Sequence, residues 1–388
     1  MSTTTALTAT SPSATKARPD LPEKGTAFDI VRLHFTAPLH LSDARPNDYG
    51  NSQRIIHSDA LMAAICQAWA MLGKTEWIPK ANTEVIDGKE VTVDATSPGF
   101  VLSSLFPFHG GKIADPERDI ADIDPIYFLP KPYFQNSKEP RNDPERGEAK
   151  KFKKVQYIDT AFFSTFLTQQ PPPNATLKPV KGAFRSEKLA GLSDDQAEFM
   201  TADVVPRIVK PRDESEPKPF YMERLYFRYD SGLWAIVHYD GMLDRAEASY
   251  RLGAALNYLA DNGIGTDRAV GNGTFRWNSG KTYLTLPKTG RYAVNLSLFC
   301  PPDSGTLHTL LDNNARYDLV KRGGWLSEPH NTYRKCSVWM FREGGLMQID
   351  SRKPMLLGKT VDLQPAILQN QHPVWRSGRA LWLPVNLP

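Results

Sequence analysis

The stretch Gly263-Ile-Gly265-Thr-Asp-Arg268-Ala-Val-Gly271-Asn-Gly273 carries the residue types best suited to a recognition chemistry. Two Gly-x-Gly pairs flank Arg268, and Arg276 follows closely. Glycines without Cβ atoms let another backbone approach. Successive exposed N–H groups in such a loop form an anion-binding nest. A helix C-cap followed by a tight hairpin turn explains the same glycines equally well. Other phosphate loops fit worse. A P-loop closes on Gly-Lys-Ser/Thr, which is absent, and the dinucleotide fingerprint follows a strand. Here Leu252, Ala255, Leu256 and Leu259 recur at helical spacing just before the glycines.

Three further groups are candidates. His57-Ser58-Asp59 reads as a helix start, with Ser58 as N-cap and Asp59 favoured by the dipole. The N–H groups of that turn suit a phosphate. His57 itself can contact phosphate, or act as general base in RNA cleavage if its pKa lies near the working pH. Lys150, Lys151, Lys153 and Lys154 are interleaved with Phe152 and Tyr157. Such a run is ordinarily a solvated loop, but cations among aromatic rings also suit single-stranded nucleic acid. Arg207, Lys210 and Arg212 form a second local basic group. The histidines are dispersed, with no HExxH and no His/Cys pair at ligand spacing, so neither a metal nor a cofactor is expected. A GxSxG elbow is absent too.

The elements that must position these groups follow from pattern. Phe28–Phe35 alternates and reads as a half-buried strand. A helix follows with Leu61, Ile65, Ala68, Trp69 and Leu72 on its buried face, closed by Gly73. Gly99–Phe108 reads as one strand, and Gln135–Lys154 as a charged loop. Val204–Val209 and Tyr221–Tyr229 read as the arms of a long hairpin around the charged tip 211–219. Leu233–Tyr239 is a further strand before the helix that leads into the glycines. Beyond Lys281 come strands at Tyr292–Phe299, Ser337–Arg342 and Ala380–Val385. Strand–helix–strands–helix–strand is the ferredoxin-like order. The expected fold is therefore α+β: two ferredoxin-like (RRM-like) domains with insertions and a thumb-like β-hairpin. The first spans 26–280 and carries the glycine-rich loop, the second spans 281–388, and residues 1–25 form a disordered tail rich in Ser, Thr, Ala and Pro.

Composition sets bounds on function. The chain of 388 residues is comfortable for two domains, and its net charge of +4 demands no nucleic acid through a whole-molecule field. Cys66, Cys300 and Cys336 form no CxxC pair, which fits a reducing, cytoplasmic compartment. No apolar run approaches the ~20 residues needed to cross a bilayer, so no membrane partner is expected.

Taken together the motifs resemble the RAMP superfamily of CRISPR proteins, whose RRM-like domains carry a GxGx5GxG loop. More narrowly they are similar to the Csm-type subunit that caps the crRNA 5′ tag in type III-A effector complexes. Pro38-Leu-His-Leu41 followed by Ile56-His-Ser-Asp-Ala-Leu61 resembles that subunit's opening. Leu129-Pro-Lys-Pro132, Lys150–Ile158, Tyr221–Phe227 and Ser231–Trp234 resemble its middle. Gly323-Gly-Trp325, Ser337–Phe341, His372–Trp375 and Leu383–Val385 resemble its end. Thr266-Asp267 stands where the family commonly has Gly and Lys, and Ala60 replaces a Thr. The resemblance implies a non-catalytic RNA-binding subunit. Its partners would be the crRNA 5′ tag, the large polymerase/cyclase subunit and the adjacent RAMP backbone subunit. A thumb-like hairpin over 201–228 would kink the RNA at the tag–guide boundary. RNA contacts are expected from Arg54, His57, Ser58, Lys151, Lys153, Lys154, Arg207, Lys210, Gly263, Gly265, Arg268, Gly271, Gly273 and Arg276. The alternatives are a crRNA-processing endoribonuclease of the same superfamily, the equivalent subunit of another type III subtype, and a protein-interaction module without RNA contact.

Overall fold

A computed structural model describes residues 25–42, 49–110, 125–133, 154–168, 183–209, 216–288, 290–326, 330, 332–351, 355–368 and 372–386. The expectations for most of the tail, for most of the 135–154 loop and for residues 211–215 of the hairpin tip lie outside these residues.

The first sheet is built on strand Thr26–Phe35, which pairs antiparallel with both Phe275–Leu284 and Gly232–Tyr239. Gly232–Tyr239 in turn pairs with Phe100–Leu102 and Phe106–His109. The sheet continues through Ile126–Pro130, Tyr157–Asp159 and Phe184–Arg185. Helices Ser58–Met71 and Arg245–Asn262 pack on one face and against each other. Asp244 caps the second helix by accepting from the N–H groups of Ala246 and Glu247. Gly263, at φ 77, ends it. The sheet reaches Leu284, four residues past the boundary expected at 280, because Phe275–Leu284 pairs along its whole length with the first strand.

The first strand is buried on both faces rather than half-buried. Val31, Leu33 and Phe35 meet Leu61, Ile65 and Leu256 on the helix side. Phe28 and Ile30 join a second core with Phe163, Phe166, Leu296 and Leu383. Successive side chains point to opposite faces, so each set enters its own core. The far face is closed by the short helix Thr160–Thr168 and by the second unit. The expected single strand 99–108 is two, since the chain breaks at Ser103–Leu105. There the N–H of Ser104 donates to Leu296 O (2.9 Å) and Leu105 bridges to Ile56.

The hairpin is longer than its apolar pattern. Met200–Val209 and Lys218–Phe227 pair in unbroken antiparallel register as a separate two-stranded ribbon. A second hairpin, Ala81–Ile86 with Lys89–Ala95, turns at Asp87 (φ 51) and Gly88 (φ 73). That Asp-Gly pair is a strong hairpin signal overlooked in the pattern reading.

The second unit is a four-stranded antiparallel sheet in the order Leu346–Ser351, Gly290–Asn295, Ala380–Val385, Met355–Leu357. Two ribbons flank it: Leu319–Arg322 with Val338–Phe341, and Thr360–Asp362 with Trp375–Ser377. Among its described residues the one α-helix is the short Ser304–Leu310. A single 3-10 turn, Ala366–Leu368, stands where a second helix was expected. Pro365, Pro373 and the β-bridged ribbon leave no helical run there. Among the described residues, no helix is long and apolar enough to cross a membrane.

Candidate nucleic-acid interface

The glycine-rich loop is a latch. Its Thr266 N–H donates to His40 O (3.1 Å), Gly273 N–H to Pro38 O (2.8 Å), and Ile264 N–H to Gly273 O (2.9 Å). Gly271 N–H closes a turn on Arg268 O (2.9 Å). Four N–H groups of the expected anion nest are thus spent inside the fold. All four glycines have positive φ. An added Cβ at Gly263 would lie 2.4 Å from Asn272 O, at Gly265 2.6 Å from His40 O, and at Gly273 2.0 Å from Ile264 O. Those three glycines permit close approach of the chain to itself. Gly271 differs: it is exposed, and a Cβ there meets nothing within 4 Å.

Asp267 binds this latch to the hairpin. Its Oδ2 accepts from Asn272 Nδ2 (2.6 Å), Arg224 Nη2 (2.8 Å) and Arg207 Nη1 (3.5 Å). One carboxylate is shared by two guanidiniums, and Asp203 stands opposite Arg224 in the hairpin register. The hairpin base is fixed further, because Leu39 and Leu225 exchange backbone hydrogen bonds and His40 Nδ1 lies 2.6 Å from Glu223 O. Arg268 reaches Gln67 on the first helix (3.5 Å). Arg276 is exposed, with its guanidinium 5.0 Å over the Tyr229 ring. Opposite it in register is His34, whose ring is pushed down to about 3 by burial, Arg32 and Arg276. The structure therefore brings Arg207, Arg268 and the glycines together.

His57 and Ser58 lie elsewhere, at the start of the first helix. Ten residues along that helix separate His57 from Gln67, ~15 Å at its ordinary rise. Both are buried. His57 Nδ1 sits 2.7 Å from Glu343 Oε1, an ion pair when the ring is protonated. Ser58 is not the N-cap: His57 holds that position, and Ser58 Oγ accepts from Leu298 N–H (2.9 Å). The Ser58 N–H is taken by Ser104 Oγ (2.8 Å), whose hydroxyl also donates to Glu343. Asp59, fully buried, accepts from Arg322 Nε (2.8 Å) and Nη2 (3.1 Å) and faces Arg376 Nη1 at 3.4 Å. The triplet thus rivets the two units, with its polar atoms turned inward. Burial alone would raise the Glu343 carboxyl, but His57 and the hydrogen bonds from His57 and Ser104 outweigh it and hold it low. Burial is likewise overcome at Asp59 by Arg322 and Arg376.

Beside this joint lies a cavity of about 470 Å³ lined in part by Arg54, His57, Lys131, Tyr133, Arg342 and Glu343. Burial brings the Lys131 amine down to about 8. Lys154 is exposed nearby in sequence, whereas Lys151, Lys153 and Lys210 lie outside the described residues. Glu343 and Arg322 escaped the reading because their partners stand hundreds of positions away, 286 for His57–Glu343. Asp267 carried a signal, as the single acid within the glycine loop.

Residues 288–385 match the family model of the CRISPR Csm4 C-terminal domain, which coincides with the second unit. The whole chain is similar to a solved Csm1-Csm4 cassette in complex with cA4, at 20% identity and TM-score 0.52, covering 94% of this chain and 99% of that one. It is also similar to a Csm3-Csm4 subcomplex of the type III-A interference complex, at 16% identity and TM-score 0.53, covering 92% and 100%. A search of curated proteins returned no match. The mixed α+β fold is shared with the Csm4 chain of that subcomplex. The family match is confined to the second unit, and the likeness over the rest of the chain is one of fold.

Removing His57 strands the buried Glu343 charge, so His57→Ala should lose about 3–5 kcal/mol of stability in urea unfolding. Replacing both partners by leucine should recover part of that loss. Depressed folded-state carboxyls stabilise above their ordinary values, 4.5 for Glu343 and 3.8 for Asp59, and that stability is lost as pH falls through the lower folded values. Melting temperature should therefore drop steeply in acid, and Glu343→Gln should flatten the drop. Gly273→Ala should destabilise strongly through its clash, whereas Gly271→Ala should cost only about 1–2 kcal/mol of left-handed backbone strain in the same assay.

Proposed function

We propose that this chain is the non-catalytic RNA-binding subunit of a type III-A CRISPR (Csm) interference complex. In this reading it caps and anchors the 5′ tag of the crRNA. It docks the large polymerase/cyclase subunit on one side and the adjacent RAMP backbone subunit on the other. The solved relatives pair Csm4 with Csm1 and with Csm3, which supports both contacts. Two ferredoxin-like units would form the body, the second with one α-helix among its described residues, and the Met200–Phe227 hairpin would be the thumb.

The observation that carries the RNA reading is the locked pair of glycine loop and hairpin. Asp267 fixes Arg207 and Arg224 beside a loop whose Gly271 is open. Phosphates of a single strand are bound by such cations and by close backbone approach. Arg268 and Arg276 extend the basic surface. A processing nuclease would need its histidine to reach the RNA, and His57 is buried in the joint with Nδ1 held at Glu343.

The test is binding by the chain co-expressed with its large-subunit partner, using crRNA with an intact or scrambled 5′ tag at two salt concentrations. The expected result is tight, tag-dependent, salt-sensitive binding without cleavage. Arg207→Ala should weaken it ~10-fold, the loss of one charge-assisted contact, and Gly271→Val should weaken it by blocking close backbone approach. Equal binding of both RNAs would overturn the capping role, and metal-independent cleavage lost in His57→Ala would favour the endoribonuclease.

A further inference from the structure

Residues 317–339 hold a concentration of exposed large apolar side chains: Tyr317 (44%), Leu319 (42%), Trp325 (50%), Tyr333 (40%) and Trp339 (60%). The ribbon Leu319–Arg322 with Val338–Phe341 explains the pattern. Val320 and Met340 face each other and turn inward onto Leu298. Lys321 and Trp339 face each other on the outer side, both exposed. An indole so open on a strand is poorly placed for stability alone, since large aromatic rings contribute by being buried. Arg334 stands 4.7 Å over the Trp325 ring, a cation on an aromatic face. Asp318, the acid of this described surface, is already engaged by Arg342 at 3.6 Å. The outer face therefore combines open rings with an excess of positive charge.

The strand that carries Trp339 leads into the lining of the cationic cavity. Arg342 and Glu343 follow directly on strand Val338–Phe341 and line that cavity with Arg54 and Lys131. We propose that the outer face of this ribbon is a stacking platform for single-stranded RNA. It continues the RNA path from the cavity at Arg54 and Lys131, through Tyr317, to Trp339 and Trp325. Rings with cations bind bases in a sequence-tolerant way and phosphates by charge. This inference rests on the RNA-binding reading above.

The test is anisotropy of labelled, unstructured oligouridine titrated with the full chain. Trp339→Ala should weaken binding ~5-fold or more, and Trp339→Phe should keep most of the affinity, because a phenyl ring still stacks. Lys321→Ala should lower the slope of log affinity against log salt by ~0.7. These side chains are exposed, so melting temperatures should stay near wild type. Arg54→Ala serves as the control for the path itself. If Arg54→Ala weakens binding but the Trp339 and Lys321 variants match wild type, the platform is refuted and the RNA-binding reading stands. If wild type binds no RNA, both fail. If the Trp339 variants bind RNA normally but lose a partner subunit on co-purification, the face is a protein interface and the platform is refuted.

Discussion

Three consecutive side chains, His57, Ser58 and Asp59, hold the two units of this protein as one body. A buried charge without a partner costs several kcal/mol, so each must be answered across the joint. Glu343 answers His57, Leu298 N–H answers Ser58, and Arg322 with Arg376 answer Asp59. All the answering groups come from the second unit. The start of the first helix is thereby fixed against the second sheet. Further along, the same helix meets Arg268 of the glycine loop through Gln67. The joint and the candidate RNA surface are thus two ends of one rigid element.

The second constraint is the carboxylate of Asp267. It gathers Arg207 and Arg224 from both hairpin strands and Asn272 from the loop. It adds a side-chain tie to the backbone bonds that already hold loop and hairpin base on Pro38 to His40. Through it, both hairpin strands and the loop converge on one carboxylate. Preorganisation of this kind lowers the entropy cost of holding a flexible strand of RNA.

Much of the first unit was legible because its signals are local. Leu252 to Leu259 at helical spacing, Asn262-Gly263 as a stop, and the alternating hairpin arms each state their own structure. The glycine loop was legible as a feature but not in its detail. Three of its glycines serve contacts with Pro38 to His40 and within the loop, and only spatial neighbours reveal that. His57 and Ser58 carried the right residue types for phosphate, yet their partners are remote in sequence and turn them inward. The second unit was read less well. Its ribbons and single short helix depend on contacts between segments, and its prolines interrupt the periodicity that would mark a helix.

The central claim is that the latch of loop and hairpin is the surface that holds the RNA tag. Photo-crosslinking answers it most directly, with 4-thiouridine placed in the tag of an assembled complex and the joined peptides read by mass spectrometry. The account predicts crosslinks within the glycine loop Gly263–Gly273 and strand Met200–Val209. Crosslinks confined to other segments, with neither of these labelled, would contradict it.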